Sequence, residues 1–202
     1  MGATGAILLG IGAIALWLLL RDEGQSRTPP IPRGTALDVG NLWEVETPLA
    51  VGQEIIEMTT SIINSSAQPV RFDEIRPILG EGMPENGELI GVFLVRFPFQ
   101  AALHHAFPPA DRRAGRCVSA TPIPVKGFVL PPGDEVMVAT HFRATHLGTF
   151  GTEGRDIIYE QAGQTYRQRD PVLFTGDVRP RWKREDSLER RCRKHTTLLP
   201  AG

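Results

Sequence analysis

Apolar and polar residues alternate along much of the chain after residue 41, which is the period of a half-buried β-strand. The clearest segment is EVMVATHFRA, residues 135–144, which follows a Pro-Pro-Gly-Asp turn. We expect a strand here, with one buried face made of Val136, Val138, Thr140, Phe142 and Ala144.

A second alternating segment, EIIEMTTSIIN, covers residues 54–64 and ends in an Asn-Ser-Ser turn. Unbroken alternation predicts that Ile56, Met58, Thr60 and Ile62 share one buried face, with Glu57 on the opposite face.

Further strands are predicted from the apolar and β-branched segments that remain. They begin at Val70, cover residues 88–97, and form a hairpin of residues 156–160 and 165–169 around Ala162-Gly163. The glycines of residues 148–154 predict a flexible turn instead. Because seven or eight short strands alternate with no long amphipathic helix, residues 41–178 are predicted to form a mainly β, antiparallel two-sheet sandwich.

The first 21 residues have a different pattern, because residues 3–20 form an uncharged apolar run that ends at Arg21. As a helix, 18 residues span about 27 Å, close to the hydrocarbon thickness of a bilayer. We therefore predict one N-terminal transmembrane helix over residues 1–21, with residues 3–20 in the lipid. Gly2, Ala6 and Gly10 form a small-residue stripe that would allow a second helix to pack closely.

The signals on membrane orientation conflict. Arg21, Arg27 and Arg33 follow the apolar run, and the positive-inside rule would then place the large domain in the cytoplasm. A single-pass anchor that carries a Gly/Pro-rich sandwich is more often exported. We favour the exported orientation at the cell membrane and keep the cytoplasmic one as the alternative. Residues 22–40, with three prolines and no apolar period, are predicted to be an extended spacer.

Two segments of the predicted sandwich resemble bacterial immunoglobulin-like domains. SIINSSAQPVRF is similar to their segment of strand, Asn, polar turn and Pro-Val, and FVLPPGDEVMVATHF to their segment of Leu-x-Pro-Gly followed by a strand. The resemblance implies an immunoglobulin-like antiparallel β-sandwich on a single-pass anchor and a tendency to bind partners. It implies no catalytic residue.

Composition and motifs exclude several function classes. A formal net charge of −1 removes the general electrostatic argument for nucleic-acid binding. The sequence has no Gly-x-Ser-x-Gly motif, no dinucleotide fingerprint after a strand and no phosphate-binding loop. We therefore predict a protein that is not an enzyme and has no cofactor.

The histidines and cysteines allow two weaker hypotheses. A copper or zinc site would join His104 or His105 with His141, His146 and Cys117. Adjacent histidines on a loop rarely bind one ion together, so ordinary surface or packing histidines are preferred. Cys117 and Cys192 could form a disulfide in an exported domain, or remain thiols in a cytoplasmic one.

The segment of residues 98–126 is the longest stretch without a strand period, and it mixes aromatic residues with arginines. Arginine is enriched at interface hot spots, so we predict partner contacts at Phe99, Phe107, Arg112 and Arg113. The alternative is an insertion of no consequence.

The tail, residues 179–202, is basic and contains a possible short helix over residues 185–194. It predicts either binding to anionic lipid or a solvated terminus. Three functions follow from these patterns. The first is a membrane-anchored interaction module for a protein partner, the second an extracytoplasmic metal-handling protein, and the third a cytoplasm-facing accessory subunit with a lipid-binding tail.

Overall fold

The computed structural model describes residues 30–40, 44–96, 110–111, 116–117 and 122–180. Within these ranges the regular secondary structure is strand, and no helix is present. Thirteen strands are described, of which eight have six residues or more. The bounds are β1 Leu37–Asp38, β2 Glu44–Leu49, β3 Glu54–Asn64, β4 Val70–Leu79, β5 Gly87–Val95, β6 Ala110–Asp111, β7 Arg116–Cys117, β8 Pro122–Ile123, β9 Val129–Leu130, β10 Glu135–Ala144, β11 Gly148–Gln161, β12 Gln164–Asp170 and β13 Leu173–Val178.

Two main sheets form a β-sandwich. The five-stranded sheet has the order β1-β3-β10-β5-β8, and the six-stranded sheet has the order β2-β13-β11-β4-β9, with β12 also paired to β11. Nearly all neighbours are antiparallel, and the exception among these pairs is β13 with β2. Strands β6 and β7 pair only with each other among the described strands. The mainly β, two-sheet prediction is therefore confirmed at this level.

The core between the sheets contains two apolar clusters. In the first, Val136 and Val138 of β10 are grouped with Ile157 and Tyr159 of β11. In the second, Phe142 of β10 is grouped with aromatic residues of the other sheet. Its ring stacks on that of Phe174, with 5.0 Å between the ring centroids. The predicted inward face of β10 is thus confirmed, because alternation along a strand is decided by local backbone geometry.

The predicted single face of β3 is wrong, because a bulge interrupts the strand. The register with β10 passes from Thr60 opposite Val138 to Glu57 opposite Thr140, so one extra residue enters β3. A bulge of this kind reverses the parity of the strand. As a result Ile62 belongs to the core, whereas Ile56 and Met58 belong to a third cluster on the outer face of the sheet. All three side chains are buried, as expected, but in two different places.

The segment of residues 148–154 is part of β11 and not the turn that its glycines predict. The glycines serve close packing instead. A Cβ atom on Gly151 would lie 1.9 Å from the carbonyl oxygen of Phe174 in the neighbouring β13. Gly154 has a φ of +116°, at the register irregularity between β11 and β4. Glycine here permits a close backbone approach and a bulge, as it does in other strands.

The sandwich begins earlier than the sequence pattern suggests, because residues 32–40 belong to it rather than to the spacer. The N–H group of Gly34 donates to the carbonyl oxygen of Arg167 in β12 at 2.8 Å. β1 then pairs with the end of β3 in the other sheet. The segment therefore changes from one sheet to the other. Tyr159 holds it at this point, since its hydroxyl accepts a hydrogen bond from the Ala36 N–H at 3.1 Å.

The Asn-Ser-Ser turn after β3 is confirmed, and Asn64 organises it. The amide Nδ2 of Asn64 donates to the carbonyl oxygens of Gln68 at 2.8 Å and Leu130 at 2.9 Å. Its Oδ1 accepts a hydrogen bond from the Ser66 hydroxyl at 2.7 Å. Asn64 therefore joins the turn to the segment that precedes β10, and these are the two segments that resemble immunoglobulin-like domains.

Candidate functional site

A buried ionic cluster lies between the two sheets. Arg155 of β11 is 2% exposed, and its Nη1 lies 3.3 Å from Oε2 of Glu57 in β3, which is also 2% exposed. Its Nε lies 3.1 Å from Oδ2 of Asp170, at the end of β12. Its Nη1 also donates to the Thr140 hydroxyl at 3.3 Å. One guanidinium thus contacts both sheets.

The ionic cluster separates the two apolar clusters of the core. Along β3, Glu57 lies between Ile62 of the first cluster and Ile55 of the second. The same order holds on the two other long strands: Thr140 between Val138 and Phe142 on β10, and Arg155 between Ile157 and Phe150 on β11. The ionic cluster is therefore a polar layer across the middle of the sandwich that solvent does not reach. A buried position between the two sheets indicates a structural role.

Burial dominates the electrostatics of Asp170. It raises the pKa of this carboxyl above the ordinary value of 3.8, and the charge of Arg155 opposes that shift only in part. Oδ1 of Asp170 accepts a hydrogen bond from the Val172 N–H at 3.3 Å, whereas Oδ2 is within ion-pair distance of Arg155 without forming a hydrogen bond.

A second polar cluster lies on the outer face of the five-stranded sheet. Here Nε2 of His141 is 3.1 Å from Oε2 of Glu54, and Nη2 of Arg143 is 2.9 Å from Oε1 of the same carboxylate. Nη1 of Arg143 also lies 2.9 Å from Oε2 of Glu88. These groups occupy adjacent positions of β3, β10 and β5, because Arg143 is opposite Glu54 on one side and Glu88 on the other.

Partial burial raises the pKa of Glu54, but the hydrogen bond from Arg143 and the interactions with His141 outweigh it. The net effect is a pKa below the ordinary 4.5. Glu54 is therefore held as a carboxylate, and it holds the His141 ring against the sheet.

The rest of this outer face is apolar and forms the third cluster. Its buried members are Ile56, Met58, Phe93, Val95 and Ala139, with the partly buried Met137 against them. Ala139 and Val95 are 0% exposed. The face therefore changes along the strands from a charged end at Arg143 to an apolar end at Met137 and Val95, which are opposite each other.

The connection between β5 and β8 begins and ends at one place. Val95 pairs with Pro122 and Leu94 with Ile123, so residues 96–121 leave and rejoin the sheet at the same corner. Inside the connection, Ala110 pairs with Cys117 and Asp111 with Arg116. Residues 110–111 and 116–117 therefore form a short antiparallel pair.

Most of the residues singled out from the sequence lie outside the described residues. These are Phe99, Phe107, Arg112, Arg113, His104, His105, Cys192 and the anchor with Gly2, Ala6 and Gly10. Of Cys117 only the backbone is described. The partner contacts, the disulfide and the anchor therefore stay predictions. The structure describes no helix, in the ranges it covers, that is long and apolar enough to span a membrane.

The two described histidines have different surroundings. His141 is buried on the outer sheet face, whereas His146 lies beyond the end of β10, where its Nδ1 is 2.8 Å from the carbonyl oxygen of Glu85. Within the described residues no three His, Cys, Asp or Glu side chains are arranged to hold a metal ion.

Sequence reasoning missed the buried ionic cluster, because it placed Glu57 on the face opposite the predicted buried one and assigned Arg155 no role. No local pattern marks these residues. A charged residue inside an otherwise apolar strand face is the one available signal, and the bulge in β3 conceals it.

No known protein family matches the sequence, and no curated protein sequence matches it significantly. Solved structures with a similar arrangement of strands include PapD-like domain 7 of human CEP192, with 8% identity, 79% of this chain and 97% of that chain covered, and a TM-score of 0.40. The Vibrio cholerae protease VesB has 12% sequence identity and a TM-score of 0.39, with 78% of this chain and 35% of that chain covered. The secreted serine protease VesC from the same organism has 9% sequence identity and a TM-score of 0.32, with 79% of this chain and 24% of that chain covered. The chain thus spans about a third or less of each protease.

Proposed function

We propose that this chain is a membrane-tethered, non-enzymatic interaction module, in which an immunoglobulin-like sandwich presents the β5–β8 connection to a protein partner. The observation that carries the proposal is the anchoring of that connection. Its two ends are paired with each other through Val95 and Pro122 on a rigid sheet. Binding residues are often found on loops that a rigid scaffold positions in this way.

The strand order supports the immunoglobulin-like assignment. In that fold one sheet has the order A-B-E-D and the other contains C-F-G. Here β1-β3-β10-β5 has the order expected of A-B-E-D, and β4-β11-β13 that of C-F-G. The G strand would consist of β12 and β13, which follow one another along β11. This correspondence rests on topology and is independent of the structural comparisons.

The composition of the connection supports a protein partner. A 26-residue connection between paired neighbours is much longer than the two to five residues of an ordinary hairpin loop. Arg112 and Arg113 lie in sequence between the paired residues 111 and 116. Arginine is enriched at interface hot spots, and aromatic residues such as Phe99 and Phe107 are enriched in interfaces.

The tether is proposed from residues 3–20, whose uncharged apolar run has the length of a membrane-spanning helix. A chain attached in this way is concentrated at the membrane, so a partner in the same membrane would be bound with a raised effective concentration. The exported orientation remains our preference.

Site-specific photocrosslinking in membranes tests the proposal. The full chain carries p-benzoylphenylalanine in place of Arg113, and the matched control carries it in place of Val129, which is 48% exposed on the scaffold. We expect one dominant adduct from position 113 and none from position 129. The same adduct from position 129 alone would place the partner on the sandwich and contradict the proposed role of the connection.

A further inference from the structure

One edge of the outer face of the six-stranded sheet is divided into two halves of opposite charge. Strands β12 and β13 follow one another along β11, so they occupy the same strand position in the two halves. Outside β12 lies the segment of residues 32–34, and outside β13 lies β2. We call these four segments together the charged edge.

The basic half of the charged edge carries three arginines. Asp170 points into the core, so by alternation Arg169 and Arg167 point outward, and Arg33 is paired with Arg167. All three arginines are exposed. Within the described residues, Asp156 is the carboxylate that forms ion pairs with both Arg167 and Arg169, and Arg33 forms none. This half therefore has an excess of positive charge.

The acidic half carries Glu44 and Glu46 of β2 and Asp177 of β13. Val45 belongs to a core cluster, so the glutamates on either side of it point outward, and both are exposed. Asp177 forms an ion pair with Arg179, whereas neither glutamate forms one in the part of the chain that the structure describes. This half therefore has an excess of negative charge.

We propose that two copies of this chain pair through these outer faces, with the strands of one copy antiparallel to those of the other. A two-fold axis that lies in the interface and crosses the strands near Pro171 exchanges the basic and acidic halves. Arg33 is level with Arg167 on β12, and Glu46 is level with Thr175 on β13. Because residues 167 and 175 lie at equal distances in sequence from Pro171, Arg33 of each copy then faces Glu46 of the other. Such an interface is isologous, so this contact is made twice.

The charge pattern favours a second copy over an occupant of a single charge sign. An acidic protein or an anionic lipid surface that covered the whole edge would meet Glu44 and Glu46 as well as the arginines. Like charges that face each other across an interface are unfavourable. A second copy presents the opposite charge to both halves at once.

The face has the area that a stable dimer requires. Strand β11 has 14 residues, which is about 46 Å at roughly 3.3 Å per residue. The outermost segments, β12 with β13, β11 and β4 make four strand positions, about 19 Å wide at roughly 4.8 Å each. The product, about 900 Å², is similar to the roughly 800 Å² per partner of a standard interface. Ile158 and Leu173, which are half-buried and point outward, add apolar contact.

This pairing is compatible with the proposed interaction module. The β5–β8 connection begins and ends on the five-stranded sheet, so its attachment is not on the paired face. The two-fold axis keeps the charged edge on one side, and residues 32–34 of both copies therefore lie along the same edge of the pair. Tethers that precede these residues would reach a single membrane. Only this last point rests on the proposed function.

A charge-exchange experiment tests the pairing, by sedimentation equilibrium of the full chain in density-matched detergent micelles. The first variant is Arg33→Glu with Arg169→Glu, and the second is Glu44→Arg with Glu46→Arg. In each variant like charges face each other, so we expect the dissociation constant of the dimer to rise at least about tenfold. An equimolar mixture of the two variants should form a heterodimer with the wild-type dissociation constant, because opposite charges face each other again at both contacts.

The matched control, Arg96→Glu with Glu135→Arg, changes exposed charges that belong to the five-stranded sheet, and it should leave the dissociation constant unchanged. A monomeric wild type, or a dimer that both variants retain, would overturn the proposal. So would loss without recovery in the mixture. Loss in the first variant alone would assign the arginines to a different acidic surface and would also overturn it. The crosslinking test at position 113 is independent of these results, so failure of the proposed function is seen separately.

If a variant loses its circular dichroism, a crosslink in the folded protein decides the matter. Leu173 is replaced with p-benzoylphenylalanine. It lies two residues after Pro171, so it should face Arg169 of the second copy, which lies two residues before it. An adduct at the mass of a dimer that maps to residues 167–169 supports the proposal. Any other result, including the absence of a dimer adduct, overturns it.

Discussion

The buried guanidinium of Arg155 offers the sharpest test of how the sandwich is held together. The change Arg155→Met keeps the length of the side chain and removes its charge. It deprives two carboxylates of this guanidinium, those of Glu57 and Asp170, which are 2% and 0% exposed. It also removes the hydrogen bond to Thr140.

The expected loss is large because the site excludes water. Removing one partner of a buried ion pair costs about 3–5 kcal/mol, since the remaining charge stays desolvated. Total stability of a domain is about 5–15 kcal/mol, so the change would remove a large part of it. The exposed pair of Arg71 and Glu160, whose side chains are 54% and 38% exposed, is the matched control. Arg71→Met should cost no more than about 1 kcal/mol.

Urea unfolding of the full chain in detergent micelles, followed by far-ultraviolet circular dichroism, measures both losses. For chains of this size the melting temperature would fall by about 6–20 °C for Arg155→Met. A third variant separates charge from packing. When Glu57→Leu and Asp170→Leu are added to Arg155→Met, no buried charge of the cluster remains, and stability should return towards the wild-type value.

Two outcomes would refute this reasoning. A loss below about 1 kcal/mol for Arg155→Met would mean that the pair contributes no more than an exposed one. A triple variant as unstable as Arg155→Met would mean that the side chains act through shape and not through charge.

Three further predictions concern pH, packing and the anchor. The folded-state pKa of Asp170 is above 3.8, so the stability advantage of the wild type over Asp170→Asn should be full below pH 3.8 and be lost as the pH rises through the raised pKa. For Glu54 the pH dependence of stability is reversed. The stability advantage of the wild type over Glu54→Gln should be present above pH 4.5 and be lost as the pH falls through the lowered pKa of Glu54. Urea titrations across pH 3–8 check the predictions for Asp170 and Glu54. Gly34→Ala would place a Cβ atom 2.1 Å from the Tyr159 hydroxyl oxygen, so we expect a loss of about 1–3 kcal/mol by thermal unfolding, and an unchanged melting temperature would contradict the packing of that segment. Removal of residues 1–21 should release the chain from the membrane fraction, and a full-length chain found in the soluble fraction without detergent would refute the anchor.

The local sequence determined those strands that begin or end at a recognisable turn. The turn Pro131-Pro132-Gly133-Asp134 and the alternation after it predict β10 over residues 135–144, as the structure has it. The turn at Ala162-Gly163 and the one at Asn64 follow in the same way. In each case the backbone preference of a few neighbouring residues decides the geometry.

Tertiary structure alone decided how the side chains of β3 are divided between its two faces. The bulge in β3 depends on pairing with β10, and it moves Glu57 into the core and Met58 out of it. A register shift of one residue exchanges the two faces of a strand, and no pattern within residues 54–64 records it. The need for glycine at position 151 likewise comes from β13, because a Cβ atom there would lie 1.9 Å from the carbonyl oxygen of Phe174.

The ionic cluster shows the same limit most clearly, because Glu57, Arg155 and Asp170 are far apart in sequence. Each is a residue type that is almost always exposed when it has no partner. Their burial is stable only because the two sheets bring one guanidinium between two carboxylates. That arrangement is created by the packing of the sheets, and so the sequence read locally determined the strands but not the charged centre that lies between them.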